Sequence, residues 1–221
     1  MSQEVKPEGR RRYYSSRRTA AASETRTAIL AAARRLFLER GYVATTMAAI
    51  AAEADVALDT VYAAVGAKPV LFRQLVESAI SGTDEAVPAD MRSYVVALKG
   101  EPDPQRKVEI YAGAIRRIME RLAPVYRVLR DAAATDMELQ ALWVDIAERR
   151  ARNMLAFAED LDDSGGLRDG VSTREAADVV WAMNSPEFFL LLVHERRWSG
   201  DRFERWLADA WVRLLLARTR Q

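Results

Sequence analysis

The sequence predicts an all-α protein, with a three-helix unit near its N-terminus and a larger helical bundle behind it. Apolar residues recur three or four positions apart along most of the 221 residues, which is the spacing of amphipathic helices. No stretch alternates apolar and polar residues as a half-buried strand does, and no Asn-Gly hairpin turn occurs. Half of the residues are apolar and 29% are charged, which is the composition of a globular protein with a substantial core.

Composition also limits the chemistry that the chain can perform. It contains no cysteine, which excludes disulfides and thiolate catalysis and is typical of a cytoplasmic protein. Its single histidine, His194, has no second histidine or cysteine with which to hold zinc. The longest apolar run, Phe188–Val193, is far shorter than the roughly 20 residues that cross a bilayer, and the polar N-terminus lacks an apolar signal segment. We therefore expect a cytoplasmic protein with no catalytic residue, metal, cofactor or membrane contact.

Four predicted helices make up the N-terminal unit. Ser23 is a suitable N-cap for the first helix, whose apolar stripe begins at Ile29, and Gly41 should end it. Thr46 precedes the second helix, and Asp55 lies in the turn before the third. The predicted spans are 24–40, 47–54, 58–64 and 68–81.

Proline and glycine recur between positions 82 and 104, where we predict a loop with room for one short helix at 90–98. Pro124 should begin a new helix, and Pro186 should kink or end the helix that contains it. Polar side chains suited to capping precede the last three helices, at Thr135, Ser172 and Ser199. The predicted spans are 105–122, 125–134, 136–161, 173–197 and 200–216.

The segment around position 55 has the spacing of a helix-turn-helix, in which two short helices cross closely at a tight turn. Asp55 occupies the turn position where a left-handed backbone is usual, and aspartate tolerates that conformation better than most residues other than glycine. Many helical hairpins would meet the same spacing, so the pattern alone is only moderately specific. The small or apolar residues that such a crossing needs are Ile50, Ala54, Val56, Val61 and Ala64.

This region resembles the DNA-binding domain of TetR-family transcriptional regulators. The resemblance covers Thr25–Glu77 and centres on ILAAARRLFLERGYVATTMAAIAAEADVALDTVYAAVGAKPVLF. The segment WAMNSPEFFLLLVHERRWSGDRFERWLADAWVRLLL is similar to the two closing helices of many family members. The matching positions are Leu36-Phe37, Gly41-Tyr42, Thr46, Ile50-Ala51, Ala54, Val56, Thr60, Tyr62 and Lys68-Pro69-Val70-Leu71.

The resemblance implies a homodimer that binds a palindromic operator in double-stranded DNA and responds to a small molecule. The chain departs from the family pattern at five positions. Asp55 stands where relatives usually have glycine, and Ala57 lacks the usual capping hydroxyl, a loss of about 1 kcal/mol. The other departures are Asp59, Val65 and Ala67.

Candidate DNA-binding residues lie on the outward face of the third helix and at two helix N-termini. Thr60 and Tyr62 carry hydroxyls that the resemblance places on phosphates, although Tyr62 could instead be a half-buried core residue. Thr46 and Lys68 stand where backbone N–H groups attract phosphate. Asp59 could accept a hydrogen bond from cytosine N4. The remaining candidates, for contact with thymine methyl groups, are Leu58, which could also be an ordinary packing residue, and Ala63.

Basic residues are concentrated in the first twenty positions, at Arg10, Arg11, Arg12, Arg17 and Arg18. Low hydrophobicity predicts that this segment is mobile in the free protein. It is either a solubilising tail or a basic arm that follows phosphates or enters a minor groove. The predicted domains are thus a basic arm at 1–22, a DNA-binding domain at 23–81 and a ligand-binding and dimerisation domain at 82–221.

The helix at 173–197 is apolar on nearly every side, which one core cannot explain. Pairing it and the last helix with their two-fold copies gives a four-helix interface, which the resemblance also implies. Such a dimer would present two recognition helices about 34–36 Å apart, one turn of B-DNA. The candidate interface residues are Val180, Phe188, Leu191, Leu192, Phe203, Trp206, Leu207, Ala210, Trp211 and Leu214.

Aromatic and methionine side chains among small alanines suit an apolar ligand cavity in the bundle, although ordinary core packing is the better explanation for any one of them. The resemblance supports a cavity more than these residues do. The candidate lining residues are Tyr111, Met119, Tyr126, Trp143, Asn153, Met154, Phe157, Trp181 and Asn184, with Arg116 and Arg127 as further polar groups.

Three functions are compatible with these patterns. The most direct is a repressor that a small molecule releases from its operator. A transcriptional activator or a ligand-independent DNA-binding regulator stays open, because the sequence does not set the direction of control. A remote alternative is a helical enzyme with paired carboxylates at Asp145 and Glu148, but no histidine accompanies them as a di-iron site requires.

Overall fold

The computed structural model describes the backbone of residues 8–83 and 87–217, and side chains from Ala20 onward. Within those ranges the chain is helical and forms no strand, which confirms the all-α class. A single turn of 3₁₀-helix lies at Ala89–Met91, and a π-helical turn at Leu190–Glu195. The α-helices are α1 Glu8–Ala44, α2 Met47–Glu53, α3 Leu58–Val65, α4 Lys68–Ser81, α5 Ser93–Gly100, α6 Pro104–Ala133, α7 Met137–Asp163, α8 Thr173–Met183, α9 Pro186–Phe189 and α10 Gly200–Leu215.

The chain forms two compact units, residues 1–75 and 76–221, and the division falls inside α4. In the first unit α1 packs against both α2 and α3. Phe37, Tyr42 and Phe72 form an aromatic cluster with ring centroids 5.1–5.6 Å apart. Such pairs stabilise a small core beyond their burial alone. Other fully buried side chains of this unit include Ile29, Leu36, Ile50, Val61 and Leu71.

The first helix begins at Glu8, so the prediction that Ser23 starts it is wrong. Residues 10–23 contain neither proline nor glycine and are rich in arginine and alanine, which are strong helix formers. Extending an existing helix costs far less than nucleating one, so α1 continues towards the N-terminus. At the other end Gly41 adopts φ 77°, and the helical path is broken there as predicted.

The second unit is a bundle built around α6. This helix packs against α7 and α10, and α7 packs against α8. The prediction that Pro124 begins a new helix is wrong, because α6 runs through it without a break. Ala123 and Val125 on either side are buried, so tertiary packing holds the helix together despite the missing backbone hydrogen bond.

Capping side chains define where the later helices start. Ser172 accepts a hydrogen bond from the backbone of Glu175, and Ser199 caps α10 in the same way, as predicted. The cap of α7 is Asp136 rather than Thr135. The Asp136 carboxylate accepts from two backbone N–H groups, whereas the Thr135 hydroxyl donates back to a carbonyl of α6.

The chain breaks at Pro186, as its position predicted. α8 ends at Met183 with Asn184 as its C-cap, and the Ser185 hydroxyl caps the short helix that Pro186 begins. A π-helical turn follows, and Arg197 then adopts φ 58°, which is uncommon outside glycine. This bent connection carries three of the ten residues assigned to the dimer interface, Phe188, Leu191 and Leu192.

The loop after α7 packs against the start of α6 and the end of α10. Gly166 donates its N–H to the carbonyl of Leu161, and its own carbonyl accepts from Ala217. Leu167 forms an isolated antiparallel bridge with Leu216. A Cβ on Gly166 would lie 2.5 Å from the Cβ of Pro104, so only glycine fits this closure without a shift of the backbone.

Among the described residues, no single helix has the length and apolarity to span a membrane. Only the bent pair Thr173–Met183 and Pro186–Glu195, with 48° between its halves, reaches that length and apolarity when taken together.

Candidate functional site

The first candidate site is the helix-turn-helix formed by α2 and α3. The Thr46 hydroxyl accepts a hydrogen bond from the backbone of Ala49 and caps α2. Asp55 adopts φ 53°, which confirms the left-handed turn predicted from the sequence. Ala57 precedes α3 without a side-chain hydrogen bond to its first turn. The short helix therefore begins without the cap that serine or threonine would provide.

The two faces of α3 differ sharply. Val61 and Val65 are buried in the unit, while Leu58, Asp59 and Ala63 are exposed. Tyr62 is 48% exposed, so it is not a core tyrosine. Thr60 is half-buried at the edge of the exposed face. The outward face thus presents a hydroxyl, a carboxylate and small apolar groups, which is a surface able to contact base edges and phosphates.

Two long side chains hold the C-terminal end of α3, and the sequence analysis missed both. Arg26 donates from Nη1 to the carbonyl of Ala64 at 3.0 Å. Gln74 donates from Nε2 to the carbonyl of Val65 at 3.2 Å. Both bonds satisfy carbonyls at the negative end of the helix, which stabilises its last turn. No sequence signal distinguishes these two residues from ordinary polar residues on a helix surface.

Lys68 is the first residue of α4, and its ammonium group lies 4.1 Å from the centroid of the Tyr42 ring. A cation above an aromatic face is attracted electrostatically, so the ring restrains the position of the charge. The lysine is half-buried. The side chains of Arg10, Arg11, Arg12, Arg17 and Arg18 lie outside the described residues, although their backbone belongs to α1.

The second candidate site, which we term the main cavity, lies in the second unit and has a volume of about 460 Å³. Proteins bind drug-sized ligands in cavities of similar volume, about 300–1,000 Å³. Its apolar wall includes Ile115, Ile118 and Leu122 of α6. Of the predicted lining residues, the structure brings these to the cavity: Tyr111, Met119, Asn153, Met154 and Asn184.

Four of the predicted lining residues lie elsewhere. Tyr126 and Trp143 do not line the main cavity, and the indole N–H of Trp143 donates to the Tyr126 hydroxyl. Phe157 lines a separate cavity of about 240 Å³. Trp181 is exposed and stacks with Arg150, whose guanidinium carbon is 5.0 Å from the ring centroid. Helical periodicity placed these residues on inward faces but could not identify which neighbour each one meets.

The other two polar candidates are also not cavity residues. Arg116 forms an ion pair with Glu204 at 2.6 Å and another with Glu120 at 2.9 Å, and these charge-assisted bonds raise its pKa. Arg127 is exposed to solvent.

A buried polar cluster lies on the wall of the main cavity. The amide of Asn184 donates from Nδ2 to the hydroxyl of Tyr111 at 3.2 Å and contacts the sulfur of Met154. Tyr111 donates in turn to that sulfur at 3.0 Å. Burial raises the pKa of Tyr111, so this hydroxyl stays neutral at physiological pH. The cluster can therefore offer a ligand hydrogen bonds but no negative charge.

Arginines on the cavity wall are the feature that sequence analysis did not anticipate. Arg92, Arg149, Arg150 and Arg152 all line it, and Glu77 is the one acidic residue among its described lining. Glu77 pairs with Arg149 at 2.6 Å. Arginine on a helix is usually solvated, so nothing in the spacing of these residues marked them as cavity residues.

The remaining candidate surface is the predicted dimer interface, and here four residues are corrected. Val180, Phe203, Leu207 and Trp211 have no exposed surface, because they pack within the core of their own chain. They cannot contact a second copy. The accessible candidates are Phe188, Leu191, Leu192, Trp206, Ala210 and Leu214.

The paired carboxylates of the enzyme alternative do not face each other as a catalytic pair. Asp145 lies 3.4 Å from Nε of Arg149, and Glu148 lies 4.0 Å from Nη1 of Arg152. Each carboxylate thus pairs with an arginine one turn along α7, as on an ordinary charged helix face.

Residues 29–75 match the family model for bacterial regulatory proteins of the tetR family. No curated protein matches the chain significantly in sequence. Solved structures match over most of its length. NalD from Pseudomonas aeruginosa, the secondary repressor of the MexAB-OprM multidrug efflux pump, is 22% identical, with a TM-score of 0.68, 89% of this chain covered and 99% of the other.

Two further structures were solved with small molecules bound. A transcriptional regulator from Saccharomonospora viridis in complex with choline is 19% identical, with a TM-score of 0.65, 89% of this chain covered and 100% of the other. The SmeT–triclosan complex is 20% identical, with a TM-score of 0.63 and coverages of 88% and 93%. The chain therefore contains a segment, residues 29–75, that matches the tetR-family model, within the fold that these solved structures share.

Proposed function

We propose that this protein is a homodimeric transcriptional repressor that acts in the cytoplasm and leaves a palindromic operator when a small molecule binds. The observation that carries the proposal is the exposed face of α3, with Asp59, Tyr62 and Ala63 turned outward above a buried base of Val61 and Val65. A short second helix with this exposed face is the part of a helix-turn-helix that enters the major groove. A cavity of ligand size in the second unit supports control by a small molecule.

In this proposal the charged and hydroxyl groups around α3 position the protein on the DNA backbone. Tyr62 and Thr46 donate their hydroxyls to phosphates, and Lys68 contributes a positive charge held beside Tyr42. Asp59 lies in the first turn of α3, the end that contacts base edges, and accepts from a cytosine amine. The backbone contacts set register, whereas Asp59 contributes to base preference.

Replacing Tyr62 with phenylalanine or Lys68 with alanine should weaken binding to every duplex, by about fivefold or more per half-site, because each change removes one phosphate contact. Asp59→Ala should instead alter the preferred base at one position in each half-site. Binding isotherms on an operator selected from random DNA and on a scrambled duplex measure both effects. Unchanged affinity for all three variants would remove these residues from the DNA interface.

Deleting residues 1–18 should lower affinity for DNA and flatten its dependence on salt, because five arginines are lost. Among the described side chains, the buried core of the first unit starts at Ile29, beyond the deleted segment. The slope of log K against log salt concentration, measured for both forms, gives the number of phosphates lost. An identical slope would show that the basic segment is a solubilising tail.

The accessible apolar residues around the π-helical turn are proposed to pair with a second copy of the chain. Leu191 is 50% exposed and Leu214 is 43% exposed, and the rings of Phe188 and Trp206 stack with centroids 5.7 Å apart. Exposed apolar groups clustered in this way are usual at protein interfaces. A two-fold axis through this patch would place it against the same patch of the second copy, with the residues nearest the axis beside their own counterparts.

The variant Leu191→Asp should convert the dimer into a monomer, with self-association weakened by about 100-fold or more, because a carboxylate would be buried near its symmetry mate. Val96→Asp is the matched control, since Val96 is 59% exposed and lies on α5, away from the patch. Sedimentation velocity at micromolar concentration measures both. A monomeric wild-type protein would contradict the proposed interface.

A further inference from the structure

The arginines of the main cavity differ in how their charge is balanced. Arg149 is paired with Glu77, and the exposed Arg152 lies 4.0 Å from Glu148. Arg150 donates from Nη2 to the Trp181 carbonyl at 2.6 Å and to the Asn184 side-chain oxygen at 2.7 Å. Both of its acceptors are neutral.

Among the described residues, no carboxylate lies within ion-pair distance of Arg150. Glu187 interacts electrostatically with Arg150, but from beyond ion-pair distance. Burial lowers the pKa of Arg150, which reflects the cost of holding a cation in this environment, yet a guanidinium stays charged at physiological pH. The cavity wall therefore carries a positive charge that the described part of the protein does not neutralise.

The guanidinium of Arg150 also has N–H groups that make no hydrogen bond to the described part of the protein. Both bonds to the protein come from Nη2, and the described part of the chain offers Nε and Nη1 no acceptor. Neither nitrogen is among the completely buried unpaired atoms of that part of the structure. Either nitrogen can donate to one carboxylate oxygen, and binding of both oxygens would also use an N–H of Nη2, in exchange for one of its bonds to the protein.

A second arginine and an apolar wall complete the site. Arg92 lines the same cavity, donates from Nε to the Val87 carbonyl at 3.2 Å, and has no carboxylate within ion-pair distance in the described part of the chain. The apolar part of the cavity wall includes Ile115, Met119 and Ile146. The cavity thus combines uncompensated positive charge with a hydrophobic surface.

We infer that the main cavity binds an amphipathic organic acid, with its carboxylate on Arg150 and its hydrocarbon or aromatic body against α6. The regulatory effect of the acid rests on the proposed function, whereas the preference of the cavity for an acid does not. A cation would be repelled by the same arginines, and a neutral ligand would leave their charge unbalanced. Because Arg150 also binds the C-terminal end of α8, the acid would compete with Trp181 and Asn184 for the guanidinium.

Two fluorescent dyes with the same aromatic body test the charge preference. Anilinonaphthalene sulfonate is anionic, and phenylnaphthylamine is its neutral counterpart. Wild-type protein should bind the anionic dye at least about tenfold more tightly, because charge-assisted hydrogen bonds to a buried arginine are strong. Phenylbutyrate should displace the dye, whereas phenylbutanol and phenylbutylamine, which have similar bodies, should compete at least about tenfold less well.

Substitutions of single arginines test whether the dyes and phenylbutyrate bind at Arg150. Arg150→Gln should lose about tenfold or more in affinity for the anionic dye and for phenylbutyrate, while retaining the neutral dye as a sign of an intact cavity. Arg150→Lys keeps the positive charge but has a single ammonium group in place of the guanidinium, so it should lose less affinity for the anionic dye than Arg150→Gln does. Arg127→Gln is the matched control, since Arg127 is exposed on α6 and does not line the cavity. Equal competition by the three phenylbutyl compounds, or unchanged binding in Arg150→Gln, would overturn the inference.

The outcome for ligand class is separable from the outcome for the proposed function, because the dye experiments use no DNA. If phenylbutyrate binds through Arg150 yet leaves affinity for a selected operator unchanged, the ligand class stands and control by that ligand fails. If the protein binds no duplex, the DNA-binding proposal fails while the dye result is unaffected. Binding of the anionic dye by Arg150→Gln with the affinity of the wild-type protein rejects the site whatever the DNA result.

Discussion

Trp211→Ala is expected to lower the free energy of unfolding by about 4 kcal/mol. Trp211 has no exposed surface, and its ring stacks on that of Tyr111 with centroids 5.6 Å apart. Removing the indole would leave a void between α6 and α10 that the surrounding long helices cannot close without losing other contacts. Urea denaturation followed by circular dichroism, at one fixed protein concentration, measures the change.

Trp206→Ala is the matched control for this loss. Trp206 lies on the same helix and is 36% exposed. Its removal should weaken self-association while leaving the unfolding of the isolated chain within about 1 kcal/mol of wild type. If Trp211→Ala instead left stability intact and abolished dimerisation, the assignment of Trp211 to the core of its own chain would be wrong.

Gly166→Ala should destabilise the protein by about 3 kcal/mol, since overpacking of a closed site forces the backbone to move. The added Cβ would lie 2.5 Å from the Cβ of Pro104 and 3.1 Å from the carbonyl oxygen of Leu161. Both neighbours belong to the ends of long helices and cannot rotate away. Thermal unfolding at matched concentration measures the effect.

Gly100→Ala provides the comparison, because a Cβ at Gly100 would meet no atom within 4 Å and the backbone there is not left-handed. Alanine has the higher helix propensity, so this variant should be neutral or slightly stabilising. Equal stability of the two variants would show that the loop near Pro104 yields more readily than its packing indicates.

The helical architecture was predictable because it depends on local patterns. The caps at Ser172 and Ser199, the turn at Asp55 and the break at Pro186 each follow from the preferences of one residue and its neighbours. The continuous path through Pro124 was not predictable, because packing on both sides of that residue outweighs its local preference.

The candidate sites could be predicted from the sequence only where they depend on the spacing of residues along one helix. The outward face of α3 follows from helical spacing, and Tyr62 is exposed as a DNA contact requires. Trp211 was wrongly assigned to the interface because periodicity identifies an apolar face but not the element that covers it. Arg150 was missed for a related reason: its role depends on which acceptors lie beside it in space, and those come from α8.

The two ends of α3 differ in their side-chain hydrogen bonds. Arg26 and Gln74 donate to carbonyls of its last turn, while Ala57 provides no side-chain bond to its first turn. In a helix-turn-helix it is the first turn that touches base edges. If α3 binds an operator as proposed, the turn that contacts the bases is the one with fewer side-chain bonds to lose, so its adjustment to an imperfect half-site would disturb little of the protein's own structure.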